Sequence, residues 1–119
     1  MVKENLAKIL LDFLLESNAK DPIIKYFRRT TISYIIFLKI LDFHLSSKKL
    51  SIDEMEKSTI DISSRKTLFS SLEDAVSRRY IIKEVDQTDQ RKINLIPTKE
   101  LIKSFETWSE NLVSKLNRN

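Results

Sequence analysis

The chain has 119 residues, with 21 Lys+Arg, 17 Asp+Glu and one His, for a formal net charge of +4. It contains no Cys, which excludes a disulfide scaffold, thiolate zinc sites and cysteine catalysis. It also contains no Gly, which excludes a P-loop, a dinucleotide-binding glycine turn and a nucleophile elbow, since each needs glycine backbone freedom.

A hydrophobic share of 41% with 32% charged residues is ordinary for a globular protein. The length predicts a single domain over residues 1–119. Such a chain buries roughly two thirds of its unfolded surface. The segment Met1-Val2-Lys3-Glu4-Asn5 has mixed charge and no small-residue cleavage site, and the apolar runs are far short of a membrane span. The expectation is a cytoplasmic protein with no membrane partner. Basic residues exceed acidic ones by two in each half, with no cationic tail. A nucleic-acid role must therefore rest on local placement.

From about Lys3 to Ser17, Leu6, Ile9, Leu10, Phe13 and Leu14 recur at helical spacing. The stretch Ser17-Asn18-Ala19-Lys20-Asp21-Pro22 breaks this helix, and Asp21-Pro22 starts a short one that runs through Phe27. A long helix follows from Thr31 or Ser33 to Ser46. Its stripe is Ile35, Leu38, Leu41 and Leu45, widened by Ile36, Phe37 and Ile40. So apolar a helix belongs at the centre of the core.

Leu50 precedes the capping box Ser51-Ile52-Asp53-Glu54, which opens a short helix to about Ser58. A tight connection, Thr59-Ile60-Asp61-Ile62, leads to a helix capped by Ser63 or Ser64 and ending near Arg78. Its stripe is Leu68, Leu72, Ala75 and Val76. The β-branched stretch Tyr80–Val85, the polar turn Asp86–Arg91 and the stretch Lys92–Ile96 predict a hairpin. Pro97 ends it and Thr98 caps a last helix, on which Leu101, Phe105, Trp108, Leu112 and Leu116 form a seam. Two helices joined by a short turn and followed by a hairpin describe a winged helix-turn-helix. The predicted class is mostly α with a small β-hairpin. A helical arm (1–30), a core (31–97) and a C-terminal helix (98–119) make up the chain.

The second helix of the pair begins Ser63-Ser64-Arg65-Lys66-Thr67-Leu68-Phe69-Ser70, with both cations and several hydroxyls at its start and Glu73 and Asp74 only later. A recognition helix enters the major groove with its N-terminal residues leading, where Arg and Lys suit guanine edges and Ser and Thr suit phosphates. Ser63, Ser64, Arg65, Lys66, Thr67 and Ser70 are therefore candidate DNA contacts. At the hairpin tip Arg91 and Lys92 are candidates for the backbone or minor groove, with Asp89 spaced to hold the Arg91 guanidinium. Asp86 and Glu84 are expected to weaken the local positive field.

The stretch Lys66–Ile82 followed by Asp86–Thr98 resembles MarR-type winged-helix transcriptional regulators, in which an Asp-x-Arg wing is followed seven residues after the Arg by a helix-starting Thr. Asp89, Arg91 and Thr98 fit that spacing. The likeness covers about residues 31–105. It implies a homodimer on a pseudo-palindromic duplex, with Asp89 and Arg91 in the wing and Arg65, Lys66, Thr67 and Ser70 facing the groove. Arg79 stands where the family usually has Gly just before the hairpin. If that residue is left-handed, it is strained by roughly 1 kcal/mol. One C-terminal helix stands where two are common.

Pairing the two apolar end helices across a two-fold axis assigns Leu6, Leu10, Phe13, Phe105, Trp108, Leu112 and Leu116 to dimerisation. His44 is read as partly buried near a helix end rather than as a metal ligand. Asp53, Glu54 and Glu56 read as capping and a solvated face. Asp42 and His44 lie two apart on a helix and face different ways, so they form no triad with Ser63. The expectation is no enzyme, no metal and no cofactor, and no residue pattern specifies a small-molecule effector. The rival reading is a winged helix used for protein–protein contact, favoured by Glu73, Asp74, Asp86 and Asp89.

Overall fold

The computed structural model describes residues 2–17 and 21–117, with side chains for 5–16 and 21–117. The helix break expected at residues 17–20 lies outside the described side chains, and residues 18–20 lie outside the described residues altogether. The elements are α1 (Val2–Ser17), α2 (Pro22–Phe27), α3 (Thr31–Leu45), α4 (Ile52–Thr59), α5 (Arg65–Ser77), β1 (Ile81–Val85), β2 (Ile93–Pro97) and α6 (Lys99–Asn117). Among the described residues no helix is long and apolar enough to cross a membrane.

Hydroxyl and carboxylate caps set the helix starts. Asp21 Oδ1 accepts from the Ile23 and Ile24 amides ahead of Pro22, which needs no donor at that position. Thr30 accepts from Ser33, Ser51 from Glu54 and Ser64 from Thr67. Ser64, not Ser63, is thus the cap of α5. Thr98 Oγ1 accepts from the Leu101 amide at 3.4 Å at the start of α6. Pro97 is the last residue of β2, opposite Ile81, rather than a residue beyond it. At a strand end proline withholds only one donor from the ladder.

Two helix ends close with a left-handed residue although the chain has no glycine. After α5 the Arg79 amide donates to Val76 O and the Tyr80 amide to Ala75 O, with Arg79 at φ 65°. After α3 the Ser47 amide donates to His44 O and the Lys48 amide to Phe43 O, with Ser47 at φ 57°. Both are Schellman closures that satisfy the last carbonyls. The strain expected at Arg79 is therefore present, and Ser47 carries a second instance.

The core gathers around α3, which packs against α2, α4, α5 and β2. Ile36, Phe37, Ile40 and Leu41 are buried there with Leu50, Met55, Leu68, Leu72, Ile81 and Leu101. The phase of the α3 stripe differs from the expected one. Ile32, Ile36, Phe37, Ile40 and Leu41 face inward, whereas Leu38 and Leu45 are exposed and Ile35 is half-buried. A helix apolar around its whole circumference carries no phase information in its pattern. His44 is exposed rather than partly buried, while its neighbour Phe43 packs against the core.

Although α2 falls within the segment read as an arm, Ile24, Tyr26 and Phe27 belong to the core. Tyr26 stacks edge-on with Phe27 and Tyr80, and its hydroxyl donates to Asp74 Oδ2 at 2.5 Å, tying α2 to α5. Burial and this bond beside a carboxylate push the Tyr26 phenol up from 10.0 to about 12. The guanidinium groups of Arg29 and Arg78 lie 4.3 and 4.7 Å from the Tyr26 ring centroid.

The molecule is elongated, with extents of 49 × 27 × 26 Å and a radius of gyration of 15.5 Å. A compact chain of this length has a radius of gyration of about 13.5 Å. The α1 helix packs on α6, and Lys115 Nζ pairs with Glu16 Oε2 at 2.7 Å across them.

Candidate nucleic-acid interface

The start of α5 is exposed on the side away from the core. Leu68 and Leu72 face inward, while Lys66 and Ser70, one turn apart, project from the opposite side and are exposed with Thr67. Arg65, the first residue of the helix, has a side chain 73% exposed. Its guanidinium lies with Nε 3.0 Å from Glu56 Oε2 of α4 and with Cζ 4.8 Å from the Phe69 ring centroid. The hydroxyls divide their work: Ser64 accepts from the Thr67 amide and donates to Thr67 Oγ1 at 2.9 Å, and Ser63 donates to Ser64 O. Ser63 and Ser64 are therefore committed to the helix start, and Ser70 is not.

The wing is built by two aspartates in succession. Asp86 Oδ2 accepts from Thr88 N, Thr88 Oγ1 and Asp89 N at 2.7–3.0 Å, and Asp86 Oδ1 accepts from Asn94 Nδ2 at 2.8 Å. Lys49 Nζ stands 3.6 Å from Asp86 Oδ1. Asp86 is buried, and the Asn94 and Thr88 hydrogen bonds hold its carboxyl well below 3.8. It organises the turn, and its ionised carboxylate still bears on the wing as expected, pushing Asp89 up against the pull of Arg91. A short polar side chain folding back on amides two and three residues ahead is an Asx-type turn.

Asp89 then accepts from Arg91 three times: from the amide and Nε at Oδ1, both 3.1 Å, and from Nη2 at Oδ2, 3.3 Å. The forked pair expected from the spacing is present, and Arg91 holds the Asp89 carboxyl below its ordinary value. The Arg91 side chain remains 91% exposed, and Lys92 is exposed beside it. The wing is fixed to the helical unit by a further ladder bond, Leu95 N to Leu50 O at 2.8 Å, next to a bridge between Ser51 and Asn94. The Leu50–Ser51 segment preceding α4 and the hairpin thus form one frame.

Four of the acids near these cations are paired, while Asp61 before α5 and Glu84 on β1 are exposed, Glu84 as an acid of the wing as expected. Glu73 pairs with Lys83, Asp74 with Arg78 at 2.9 Å, Asp86 with Lys49 and Asp89 with Arg91. Among the described residues Lys66 and Lys92 form no close ion pair, although the Lys92 charge acts on Asp89. Among those same residues no group of three or more His, Asp or Glu is placed to hold a metal ion. Asp53 and Glu54 lie exposed in the first turn of α4.

The seven residues assigned to dimerisation divide into two sets. Phe13 is buried within the chain, its ring 5.2 Å from Trp108. Trp108 also meets Tyr34, Phe37 and Phe105, so these aromatics join α1 and α6 to the core. Leu6 and Leu10 remain exposed, continuous with Leu11, Leu14 and Leu15, and Leu112 and Leu116 are half-buried.

Three roles were missed from the sequence: Asp86 and Asn94 as organisers of the wing, Lys49 as the cation facing Asp86, and Glu56 as the partner of Arg65. The Asp-x-Thr spacing of 86 and 88 is the signal that identifies the first. Nothing local marks the others, because their partners are distant in the chain.

No family model matches the chain, and no curated protein matches it. Solved structures do. The transcriptional regulator Tm0710 from Thermotoga maritima superposes with a TM-score of 0.65 at 16% identity, over 98% of this chain and 75% of that one. A MarR-like transcription regulator from Bacillus cereus gives 0.53 at 15% identity, over 98% and 78%. BpsR of Bordetella bronchiseptica, whose DNA binding is regulated by 6-hydroxynicotinic acid, gives 0.52 at 15% identity, over 98% and 79%. The helix order, the hairpin and these likenesses together give the chain the winged helix-turn-helix fold of MarR-like transcription regulators.

Proposed function

We propose that the chain binds double-stranded DNA as a sequence-specific transcriptional regulator. The start of α5 enters the major groove and the wing lies on the backbone or minor groove. The observation that carries this reading is the exposure of Arg65, Lys66, Thr67, Ser70, Arg91 and Lys92 while Glu73, Asp74, Asp86 and Asp89 are each paired with a cation. Ser63 and Ser64 set the geometry of the helix start, whose free amides favour phosphate. Asp89 orients Arg91. The solved structures of the same fold are transcription regulators, which supports the same assignment.

The working unit in this reading is a homodimer. The leucines of α1 are exposed and Leu112 and Leu116 of α6 are half-buried, and a second copy would cover them. Phe13, Phe105 and Trp108 then serve as the rigid floor beneath that contact. A two-fold dimer places its recognition helices on half-sites about 10 base pairs apart. No catalytic role is assigned.

The test is selection of bound duplexes from a random pool at moderate salt. The expected outcome is a two-fold-related motif with that spacing. A second reading, protein–protein contact through the winged helix, is favoured by the exposed Ile60, Ile62, Val85 and Ile93 along the same elements. That reading expects no enriched duplex, even at low salt.

A further inference from the structure

We propose that Glu56 and Phe69 are positioning residues that present Arg65 to a guanine edge, an inference resting on the duplex-binding reading above. Two groups from separate helices meet this one guanidinium. Glu56 of α4 lies against its Nε side at 3.0 Å, and Phe69, one turn along α5, lies 4.8 Å from its centre. A carboxylate at one edge and an aromatic ring against the plane define both the location and the tilt of the group.

Reading a guanine requires two coplanar N–H donors aimed at O6 and N7. The closest approach of the ion pair is at Nε of Arg65, and in this proposal the Nη edge serves such a ligand. A free arginine is spread over many rotamers and must lose that freedom on binding, whereas one already held loses less. Lys66 next to it has neither support and stays a mobile point charge suited to phosphate. Glu56 itself is half-buried, beside the cleft that Thr59, Ile60 and Ser63 line between α4 and α5. Its carboxylate is thus held on a helix and is not a loose surface charge.

The experiment uses duplexes carrying the selected motif, and versions with each guanine replaced in turn, titrated by fluorescence anisotropy. Wild type is compared with Arg65→Ala, Glu56→Ala and Glu56→Gln. Wild type is expected to discriminate at one symmetric guanine position by about tenfold or more. Arg65→Ala and Glu56→Ala both lose that preference and keep those at other positions, which also shows that they are folded. Glu56→Gln retains an acceptor oxygen and keeps part of the preference. The inference is overturned if Glu56→Ala tightens binding to all duplexes by one common factor with the guanine preference intact, since Glu56 would then act only by repulsion. If wild type binds and discriminates but Arg65→Ala changes no position, this inference fails and the duplex-binding reading stands. If wild type binds no duplex, both fall.

Discussion

Replacing Arg79 by Gly is expected to stabilise the protein. Arg79 sits at φ 65° in a Schellman closure whose two hydrogen bonds, to Val76 O and Ala75 O, are made by the backbone alone. A side chain with a Cβ costs about 1–2 kcal/mol in that region. Glycine removes this cost but has a freer unfolded chain, which returns about 0.5–1 kcal/mol. The net gain is about 0.5–1 kcal/mol. The Arg79 side chain is exposed, so its loss changes stability by less than about 0.5 kcal/mol. Ser47→Gly follows the same reasoning at φ 57°, at the end of a different helix and with no shared hydrogen-bond partner. The double variant should therefore gain about 1–2 kcal/mol, a rise in Tm of roughly 4–8 °C for a domain of this size. Thermal unfolding followed by far-UV circular dichroism reads this directly. Lys103→Gly, at an exposed interior position of α6, is the control and should lose about 1 kcal/mol. A double variant no more stable than wild type, with the control behaving as stated, would refute the reasoning.

Tyr26→Phe should flatten the alkaline limb of the stability profile. The folded phenol lies at about 12 against 10.0 ordinarily, so the unfolded chain ionises first and wild-type stability falls as pH rises from 10 toward 12. Urea midpoints across that range check it, and parallel wild-type and variant curves would contradict it. Asp86→Asn should act at the acid end. The folded carboxyl lies below its ordinary 3.8, so its contribution is complete above that value and is lost as pH falls further. The variant should be the less stable protein at pH 7, with the gap closing in acid; a constant gap would oppose the account. Leu10→Asp, on the exposed face of α1, should lower the mass seen by analytical ultracentrifugation to that of one chain without changing the circular dichroism spectrum. An unchanged mass of two chains would remove α1 from the dimer contact.

Much of this architecture was readable in the residues, for identifiable reasons. Asp21-Pro22, Ser51 and Thr98 mark helix starts because their side chains replace missing amide partners over two or three residues. The Asp89–Arg91 pair was readable for the same reason: its geometry is local. Features that depend on distant partners were not. The uniformly apolar α3 gave no phase, so Leu38 and Leu45 were placed inward although they face out. The apolar spacing on α1 and α6 shows that a face is covered without saying by what, and the chain itself covers Phe13 with Trp108. Asp86 carries a charge, and charge reads as surface until Asn94 and Lys49 are seen around it.

The central claim is that the start of α5 and the wing form a cationic surface for a duplex, and the dependence of duplex affinity on salt tests it most directly. With Lys66, Arg91 and Lys92 each neutralising a phosphate in both subunits, log affinity should fall against log salt with a slope of about −5. Arg91→Ala should make that slope shallower by about 2, one contact per subunit. A slope near zero in wild type, or an unchanged slope in Arg91→Ala, would contradict the account.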